Sequence, residues 1–408
     1  TVDRHIECDA NWDLEIALKT AIENFQNRMP SVFDPFAGGG AIPLEAARLG
    51  CRSYGNDINP VAHIIEKGSA EFPQRYGKPI VYSKAEFERI YGEDGVKLFQ
   101  EKNADDGIGW RVDTKNYYLK NRLSFDVEYY AKKILKETEA EVGYLYPVDE
   151  QSRKPVALYW ARTAICSNPS CKAEVPLLRG FYLCNKDKKK IYLDPAVNGT
   201  DIQFSIRTGT CKLKEWNHRG VMTCPCCHSV TDVETVKNQS IHTGLKHRLL
   251  AVIVDTPKGK EYVTPSKKLL DLIDKGVTLS ENAKPMEPMA VEYTQALPCC
   301  TWGISKWGDL FTDRQLFILN RFIERFDKLR NCMVASSYNN AVVTYLAAWI
   351  DRIAAFSNSF CVWDSREIIQ RIMGRQAIPM VFDYPEVNPF SASTGSAENH
   401  LEWIVSFL

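Results

Sequence analysis

Two acidic residues, Asp34 and Asp57, lie on either side of three consecutive glycines, Gly38, Gly39 and Gly40. Glycines at such a turn let the backbone adopt conformations that are closed to other residues, and they let a ligand approach without a Cβ atom in the way. An acid at the end of the second strand of a β–α–β unit can accept hydrogen bonds from ribose hydroxyls. The spacing therefore predicts a site for a nucleotide-like cofactor.

The residues around this turn predict the elements that would position it. A short apolar strand at 32–33 leads into the first acid, and the segment 41–49 is rich in strong helix formers. Pro43 is tolerated in the first turn of that helix, and Gly50 is a typical helix stop. A second strand at 52–55 would then deliver the second acid beside the turn.

The residues after the turn separate the cofactors that could use it. A nucleoside triphosphate loop has Lys and then Ser or Thr after its last glycine, whereas Ala41 and Ile42 follow here. A dinucleotide-binding turn has a further glycine three positions beyond Gly40, where this chain has Pro43. The remaining pattern, Asp34-x-Phe-x-Gly-x-Gly, resembles motif I of the S-adenosylmethionine (SAM)-dependent methyltransferases that methylate amino groups in DNA. A turn without a ligand is the alternative, although a tight turn needs only one glycine.

This resemblance implies where SAM would bind. The methionine part would lie over the glycine turn, and the ribose would meet the acid after the second strand. SAM has no pyrophosphate, so the site needs no lysine. The residues expected to bind SAM are Asp34, Pro35, Phe36, Ala37, Gly38, Gly39, Gly40, Asn56, Asp57, Ile58 and Asn59.

Two cysteine knuckles predict a metal centre. Four residues separate Cys166 from Cys171, and two separate Cys224 from Cys227. Together they offer the four thiolates of a closed tetrahedral Zn²⁺ site, which is structural because it has no open coordination position. Buried cysteines without a metal are the alternative, and Cys226 is expected to stay outside the site. The reserve ligands are Cys184, Cys211 and His228.

Charge is distributed unevenly along the chain. The whole sequence is neutral, with 51 basic and 51 acidic residues, but 151–260 carries 18 Lys and Arg against 8 Asp and Glu. A basic, β-rich segment suits contacts with phosphates, so we expect it to bind DNA. The run at 186–190 predicts a turn, for which a solvated hairpin tip is the alternative.

Length and composition predict a cytoplasmic protein of two or three domains. The chain has 408 residues, 45% of them hydrophobic, which is ordinary for a globular core. We expect no signal peptide, and no apolar run approaches the roughly 18 residues that a membrane helix needs, so we expect no membrane partner. The 13 cysteines are odd in number and include adjacent pairs, which fits a disulfide framework poorly.

Periodicity predicts the order of the remaining elements. Helices are expected at 11–29, 58–70, 84–105 (peripheral), 123–142, 310–330 with an N-cap at Thr312, 338–356 and 365–374. A buried strand at 155–160 is expected to return to the sheet of the glycine turn, and 166–265 is β-rich. We therefore divide the chain into a first part of a SAM-binding core at 1–162, an inserted zinc ribbon at 163–265 and a helical return to the core at 266–408.

Several motifs together resemble one family. The loop Asp34–Gly40, the segment Asn56-Asp-Ile-Asn-Pro-Val-Ala62 and a ribbon inserted after Arg162 are similar to adenine-specific DNA methylases that contain a zinc ribbon. Such enzymes occur in bacteria and archaea, often near restriction or phage-defence genes. Further segments that fit the family are 307–311, 375–379 and 386–390. The resemblance implies an α/β fold, with a Rossmann-like methyltransferase sheet and an inserted zinc ribbon, that methylates adenine N6 in DNA and has defence proteins as partners.

The chain departs from this family at the catalytic motif. Amino-methyltransferases carry Asp/Asn-Pro-Pro-Tyr/Phe, whose aromatic residue stacks on a flipped base. The nearest match is Asn388-Pro-Phe390, which lacks the second proline, so the catalytic residues stay unassigned. In the family the motif would follow beyond Leu408, and we expect both ends of the natural protein to lie outside this sequence. A divergent site at Asn388 is the alternative.

Other functions remain open from the sequence. Asp34-Pro-Phe36 also suits RNA guanine-N2 methyltransferases. The missing catalytic tetrapeptide favours a non-catalytic subunit of a defence complex that binds SAM or DNA. A zinc hydrolase is least favoured, because the chain has no His-Glu-x-x-His motif.

Overall fold

The computed structural model describes residues 12–408 except 106, 281, 294, 373 and 375. The chain forms two compact units, each built from separate segments of the sequence. The first unit contains the described residues up to Ile134, together with Phe326–Ala348 and Leu401–Leu408. The second contains Leu135–Arg325 and Trp349–His400. The boundaries expected at 162 and 265 stay a prediction.

The first unit begins with the elements around the glycine turn. In chain order these are α1 (Trp12–Arg28), β1 (Ser31–Asp34), α2 (Ala41–Arg48), β2 (Arg52–Gly55), α3 (Pro60–Glu66), a π-helical segment (Lys67–Glu71) and α4 (Phe72–Tyr76). Strands β1 and β2 pair in parallel, with Ser31 opposite Arg52 and Asp34 opposite Gly55. The predicted strand–turn–helix–strand order is confirmed.

The rest of the first unit has an aromatic core. It contains β3 (Ile80–Ser83), α5 (Lys84–Asp105), β4 (Arg111–Val112) and β5 (Asn116–Leu119), with the three strands in one antiparallel sheet. The helix that follows, α6 (Arg122–Val142), belongs to this unit up to Ile134 and to the second unit from Leu135. The expectation that 84–105 is peripheral is wrong, because Phe87 is fully buried and stacks on Tyr117 at 4.3 Å between ring centroids. Helix α5 is also interrupted at Gly92, where φ is 59°.

The second unit is organised around one long strand. Strand β6 (Pro155–Ile165) is buried at every residue except Ile165, and it extends the strand predicted at 155–160. The predicted return of this strand to the sheet of the glycine turn is wrong, because β6 pairs with other strands of its own unit and not with β1 or β2. The strands that follow are β7 (Glu174–Pro176), β8 (Tyr182–Lys186), β9 (Lys189–Asn198), β10 (Asp201–Thr208), β11 (Asn217–His218), β12 (Val221–Thr223), β13 (Val230–Thr231), β14 (Lys246–Thr256) and β15 (Gly259–Val263). Helix α7 (Val233–Thr243) lies between β13 and β14. The β-rich character predicted for 166–265 is confirmed.

The sheet around β6 is antiparallel throughout. Its strand order is β15–β14–β6–β18, with β7 also paired to β6, where β18 is Asp383–Val387. Among the described strands, parallel pairing occurs only between β1 and β2, which form a two-stranded sheet of their own. The structure therefore confirms a mixed α/β class built from several sheets.

The C-terminal region is mainly helical. It contains α8 (Lys267–Lys275), two short 3₁₀ segments (Pro298–Trp302 and Trp307–Leu310), α9 (Asp313–Cys332), α10 (Ser337–Phe356), the strands β16 (Val362–Asp364) and β17 (Ile368–Gln370), and α11 (Ala397–Phe407). The N-cap predicted at Thr312 is confirmed, because its Oγ1 accepts the N–H of Gln315 at 3.3 Å. None of the described helices combines the length and apolar character that a bilayer crossing requires.

The helix predicted at 365–374 is wrong, because β16 and β17 form a hairpin there. Glu367 adopts a φ of 71°, which is outside the helical region, and its N–H donates to the Asp364 carbonyl at 2.8 Å. The Asp364 carboxylate also accepts the N–H of Arg366 at 2.8 Å. These local hydrogen bonds compete with a helix and favour a turn.

The aromatic core predicts a large difference between two phenylalanine substitutions. Phe87→Ala should lower the free energy of unfolding by about 3–5 kcal/mol, because it opens a cavity in a packed core. Phe36→Ala is the matched control, since Phe36 is 84% exposed, and it should change stability by less than about 0.5 kcal/mol. Chemical denaturation followed by circular dichroism would measure both. Equal effects would contradict the packing described here.

Candidate functional site

The glycine turn is fastened to the end of β2 by main-chain hydrogen bonds. The N–H of Asn56 donates to the carbonyl of Asp34 at 2.9 Å, and the N–H of Ala37 donates to the carbonyl of Asn56 at 3.0 Å. The Asp34 carboxylate accepts the N–H of Phe36 at 3.0 Å. The two acids that the sequence places at strand ends therefore both belong to one connected turn.

The Asp57 carboxylate holds the two halves of this turn together. Its Oδ2 accepts the N–H of Gly38 at 2.8 Å, and its Oδ1 accepts the N–H of Asn59 at 2.8 Å. The hydrogen bonds from Asn59 and then from Gly38 lower the pKa of Asp57, so the group is ionised at neutral pH. Each carboxylate oxygen can accept more than one hydrogen bond, so donors from a ligand can be added to these two.

Close packing explains two of the glycines around the turn. Gly40 begins α2 with a φ of 80°, and a Cβ there would lie 3.1 Å from Cγ of Glu66. A Cβ on Gly55 would lie 1.2 Å from Oε1 of the same residue. Glu66 is buried on α3, and Ser69 Oγ beside it donates to the carbonyl of Gly39 at 3.1 Å. Sequence reasoning did not find Glu66, because nothing in its local pattern distinguishes it from a surface residue.

Two large apolar side chains lie exposed in the expected SAM-binding segments. Phe36 is 84% exposed and Ile58 is 96% exposed. Asn59 acts as the N-cap of α3, since its Oδ1 accepts the N–H of Val61 at 3.0 Å. Of the other expected residues, Ala37 and Gly40 are buried within the turn. The turn can thus present exposed apolar surface beside an ionised carboxylate.

The four predicted cysteines lie together in the second unit. The Sγ atoms of Cys166, Cys171, Cys224 and Cys227 are all within 4.8 Å of one another. The distance is 3.6 Å between Cys166 and Cys227 and 3.8 Å between Cys171 and Cys224. A tetrahedral metal with bonds of about 2.3 Å to sulfur requires sulfur atoms roughly 3.8 Å apart. The cluster therefore has the dimensions of a four-thiolate metal centre.

Each pair of cysteines is held by a hairpin. The first pair connects β6 to β7, and the second connects β12 to β13. In both, the residue directly after the second cysteine has a positive φ, 49° at Lys172 and 61° at His228. The two hairpins are joined by Thr231, whose Oγ1 accepts the N–H of Ser167 at 3.1 Å. Nearby residues thus set the geometry of each hairpin, whereas the contact between the two hairpins joins distant parts of the chain.

The remaining candidate ligands lie outside the cluster. Cys226 and the reserve ligands Cys184, Cys211 and His228 do not belong to any such group within the described residues. The buried Cys184 Sγ instead contacts the carbonyl of Lys189 at 3.3 Å. Within the cluster, burial raises the pKa of the Cys166 thiol, whereas hydrogen bonds from Ser229 lower that of Cys227.

The basic run at 186–190 forms a hairpin that is partly neutralised. Lys186 and Lys189 both bind the buried carboxylate of Glu367, at 2.5 and 2.6 Å. These two ion pairs were not predicted from the sequence, because Glu367 comes from a distant hairpin. Other basic side chains of the segment 151–260 stay exposed and could contact a polyanionic partner. They include Lys172, Lys188, Lys212, Lys214 and Arg219.

The alternative catalytic residue Asn388 is sealed inside the second unit. It is 0% exposed, its Nδ2 donates to the carbonyl of Pro155 at 2.8 Å, and its Oδ1 accepts the N–H of Phe390 at 3.0 Å. Phe390 is itself buried and stacks on Phe322. Both side-chain groups of Asn388 therefore serve the corner after β18, and this conformation does not present them to a substrate.

Comparison of the chain with protein-family models, with curated proteins and with solved structures finds no significant match in any of the three. The glycine turn and the cysteine cluster are therefore the two features of the molecule that indicate its chemistry.

The cysteine geometry predicts which thiol a metal needs. Cys224→Ser should reduce bound metal well below one ion per chain and lower the melting temperature, because one of four ligands is lost. The matched control is Cys226→Ser, two residues away, which should leave the metal content unchanged. Inductively coupled plasma mass spectrometry would measure the number of metal ions bound per chain in each variant. Full metal content in Cys224→Ser, or equal loss in both variants, would show that the ligand set is wrong.

Proposed function

We propose that this protein is a SAM-dependent methyltransferase that acts on the N6 amino group of adenine in DNA. The observation that carries the proposal is the β1–α2–β2 unit, in which an ionised Asp57 binds the backbone of a glycine turn. The resemblance of this turn to motif I supports the choice of SAM. The turn and its two strands would form the cofactor-binding start of a Rossmann-like sheet.

Each part of SAM has a matching feature in this unit. Gly40 supplies no side-chain cap to α2, so the positive end of that helix is available for the carboxylate of the methionine part. The carboxylate of Asp57 would accept the ribose hydroxyls. The exposed side chains of Phe36 and Ile58 offer apolar surface for the adenine ring.

SAM, when bound, supplies an electrophilic methyl group on a sulfonium centre. The residues of this chain would bind and orient the cofactor and exclude water from it. Such a reaction depends mainly on alignment, which can supply a large part of the rate. The residues that hold the target amino group stay unassigned, because the chain contains no Asp/Asn-Pro-Pro-Tyr/Phe motif and Asn388 is buried.

We further propose that the cysteine cluster holds structural Zn²⁺. Four thiolates leave no open coordination position, so the metal would stabilise the hairpins and would not take part in the reaction. The basic surface of the same region would contact the DNA backbone. The cysteine usage favours a cytoplasmic enzyme. By the family resemblance, this enzyme would belong to a restriction or phage-defence system with protein partners.

Two other functions are each supported by one observation. An RNA methyltransferase would use the same cofactor turn. A non-catalytic subunit of a defence complex that binds SAM or DNA is favoured by the burial of Asn388, the nearest match to the missing motif. Product analysis separates these from the leading proposal.

The role of Asp57 predicts a loss of SAM affinity. Asp57→Ala should weaken SAM binding by about tenfold or more, because it removes a charged acceptor, and metal content should not change. Asp113→Ala is the matched control: the Asp113 carboxylate also accepts two backbone N–H groups, from Lys115 and Asn116, in a turn away from the glycine turn. Titration calorimetry would measure the SAM affinity of the two variants. An unchanged SAM affinity in Asp57→Ala would refute the proposed ribose contact.

The reaction itself is tested by product analysis. The protein would be incubated with SAM and unmethylated genomic DNA, and the DNA would be digested to nucleosides for mass spectrometry. We expect N6-methyladenine. Methylated nucleosides only in a parallel incubation with RNA would support the RNA enzyme. No methylated product despite measured SAM binding would support the non-catalytic subunit.

A further inference from the structure

The first unit contains a cavity of about 370 Å³ at the outer edge of β2. Ser53, Tyr54 and Gly55 of this strand line it, together with residues of α2, α3, the π-helical segment and α4. Among the described strands, β2 pairs only with β1. The side of β2 that faces away from β1 is therefore open to a further strand.

The hydrogen-bond register shows which main-chain groups lie at this edge. The N–H of Asn56 donates to the carbonyl of Asp34, and its carbonyl accepts the N–H of Ala37, so both groups of Asn56 point toward β1. Successive residues of a strand point these groups to opposite sides, so those of Gly55 and Ser53 point away from β1. Outside the β1–β2 pairing, neither residue makes a main-chain hydrogen bond within the described chain. The edge thus offers two N–H and two carbonyl groups to a partner.

A buried carboxylate without a partner lies at the same place. Glu66 on α3 is 9% exposed and lines the cavity, and a Cβ on Gly55 would lie 1.2 Å from its Oε1. Its carboxylate makes no hydrogen bond or ion pair with any described residue. Neither oxygen is among the enclosed side-chain atoms that lack a partner in the described chain, so the group can be reached from the cavity. A buried acid without a partner is costly and indicates a missing one.

The other charged groups of the lining contact one another. Glu71 pairs with Arg75 at 2.8 Å and with Lys67 at 3.5 Å. Neither of these cations lies within ion-pair distance of Glu66. His63, one turn before Glu66 on α3, is exposed to solvent. The described lining therefore contains one enclosed acid that a positive group of a partner can neutralise.

The sheet of β1 and β2 also has an uncovered face. Phe33 and Tyr54 lie directly opposite each other in the register and are 64% and 57% exposed. Parallel strands are normally covered on both faces. Because successive side chains alternate between faces, Tyr54 lies on the face opposite to Glu66, which contacts the position of Gly55. A strand added beside β2 would thus direct alternate side chains toward Glu66 and toward Tyr54.

We propose that the free edge of β2 binds an extended segment of a partner protein that carries a lysine or arginine between two apolar residues. The main chain of this segment exchanges hydrogen bonds with Ser53 and Gly55. Its basic side chain enters the cavity and pairs with Glu66, and its apolar side chains lie beside Tyr54. Main-chain pairing at a sheet edge supplies affinity, and the side-chain pocket supplies specificity. The proposal does not depend on methyltransferase activity.

The test starts from a displayed library of random heptapeptides, which is selected for binding to the full chain. We expect the enriched peptides to carry a lysine or arginine between β-branched or aromatic residues, the types that favour strands. The tightest binder is synthesised and titrated by calorimetry, beside a copy in which norleucine replaces the basic residue. The copy should bind about tenfold or more weakly, because it lacks the charged donor. No enrichment, or enriched peptides without a basic residue, would overturn the proposal.

Two variants locate the basic side chain of the peptide. Glu66→Gln keeps the shape of the side chain and removes its charge, so it should bind the selected peptide about tenfold more weakly and no longer distinguish it from the norleucine copy. Glu45→Gln is the matched control, because the Glu45 carboxylate is exposed on α2 and pairs with Arg48 outside the cavity. It should leave the affinity unchanged. Equal affinities of Glu66→Gln and the native chain would refute the contact with Glu66.

Hydrogen–deuterium exchange of the segment 52–55 tests the strand pairing. In the chain alone, the amides of Ser53 and Gly55 should exchange rapidly, and a saturating concentration of the selected peptide should slow them. Unchanged exchange with the peptide would overturn the proposal. Slow exchange in the chain alone would also overturn it, because the edge would then be paired already, within the protein or with a second copy.

A measurement without peptide checks the unpaired acid directly. Glu66→Gln removes a buried charge that has no partner among the described residues, so it should leave the melting temperature unchanged or raise it. A lower melting temperature in Glu66→Gln would show that the carboxylate is already satisfied in the protein, and would contradict the argument for a basic partner.

Discussion

One carboxylate holds the proposed cofactor turn in place. Asp57 accepts an N–H from Gly38 on one side of the turn and another from Asn59 on the other side. This arrangement connects the ends of β1 and β2 and starts α3 at a defined position. Because the carboxylate is held in advance, little ordering of the turn would remain when a ligand binds.

The same turn depends on the absence of side chains at two points. Glu66 is buried against the main chain of Gly40 and Gly55, so a Cβ at either glycine would be crowded by it. The turn is thus fixed from within by Asp57 and supported from behind by Glu66. It leaves two large apolar side chains, Phe36 and Ile58, exposed beside the turn.

In the second unit, β6 positions two different features. Its last residue leads directly into Cys166, so the strand sets one hairpin of the cysteine cluster. Arg162 and Trp160, three and five residues before Ile165, lie on one face of the strand and line a cavity in the same unit. A strand that is buried along nearly its whole length can hold both features rigidly, because a one-residue shift in register would move every side chain to the other face.

Local patterns in the sequence were sufficient for some of these features. The strand at 52–55, the N-cap at Thr312 and the four grouped cysteines were predicted, because turn residues, capping residues and knuckle spacing act over a few positions. The hairpin at 362–370, the buried face of α5 and the burial of Asn388 were not predicted. Each depends on contacts or backbone conformations that residue type alone does not reveal, such as the positive φ of Glu367.

Features built from distant segments of the chain could not be predicted from local sequence patterns. The ion pairs of Lys186 and Lys189 with Glu367 join residues that are far apart in the chain. A cavity in the second unit is lined by residues of β6, β14, β18 and the start of α9, which are far apart in the chain. No single motif in the sequence marks either feature.

The central claim is that the β1–α2–β2 turn binds SAM, and hydrogen–deuterium exchange of the full chain with and without SAM tests it most directly. The account predicts that SAM slows exchange in the segments 34–40 and 56–59, where the amides of Gly38 and Asn59 are held by Asp57. Unchanged exchange in both segments at a saturating SAM concentration, or protection confined to the second unit, would contradict it.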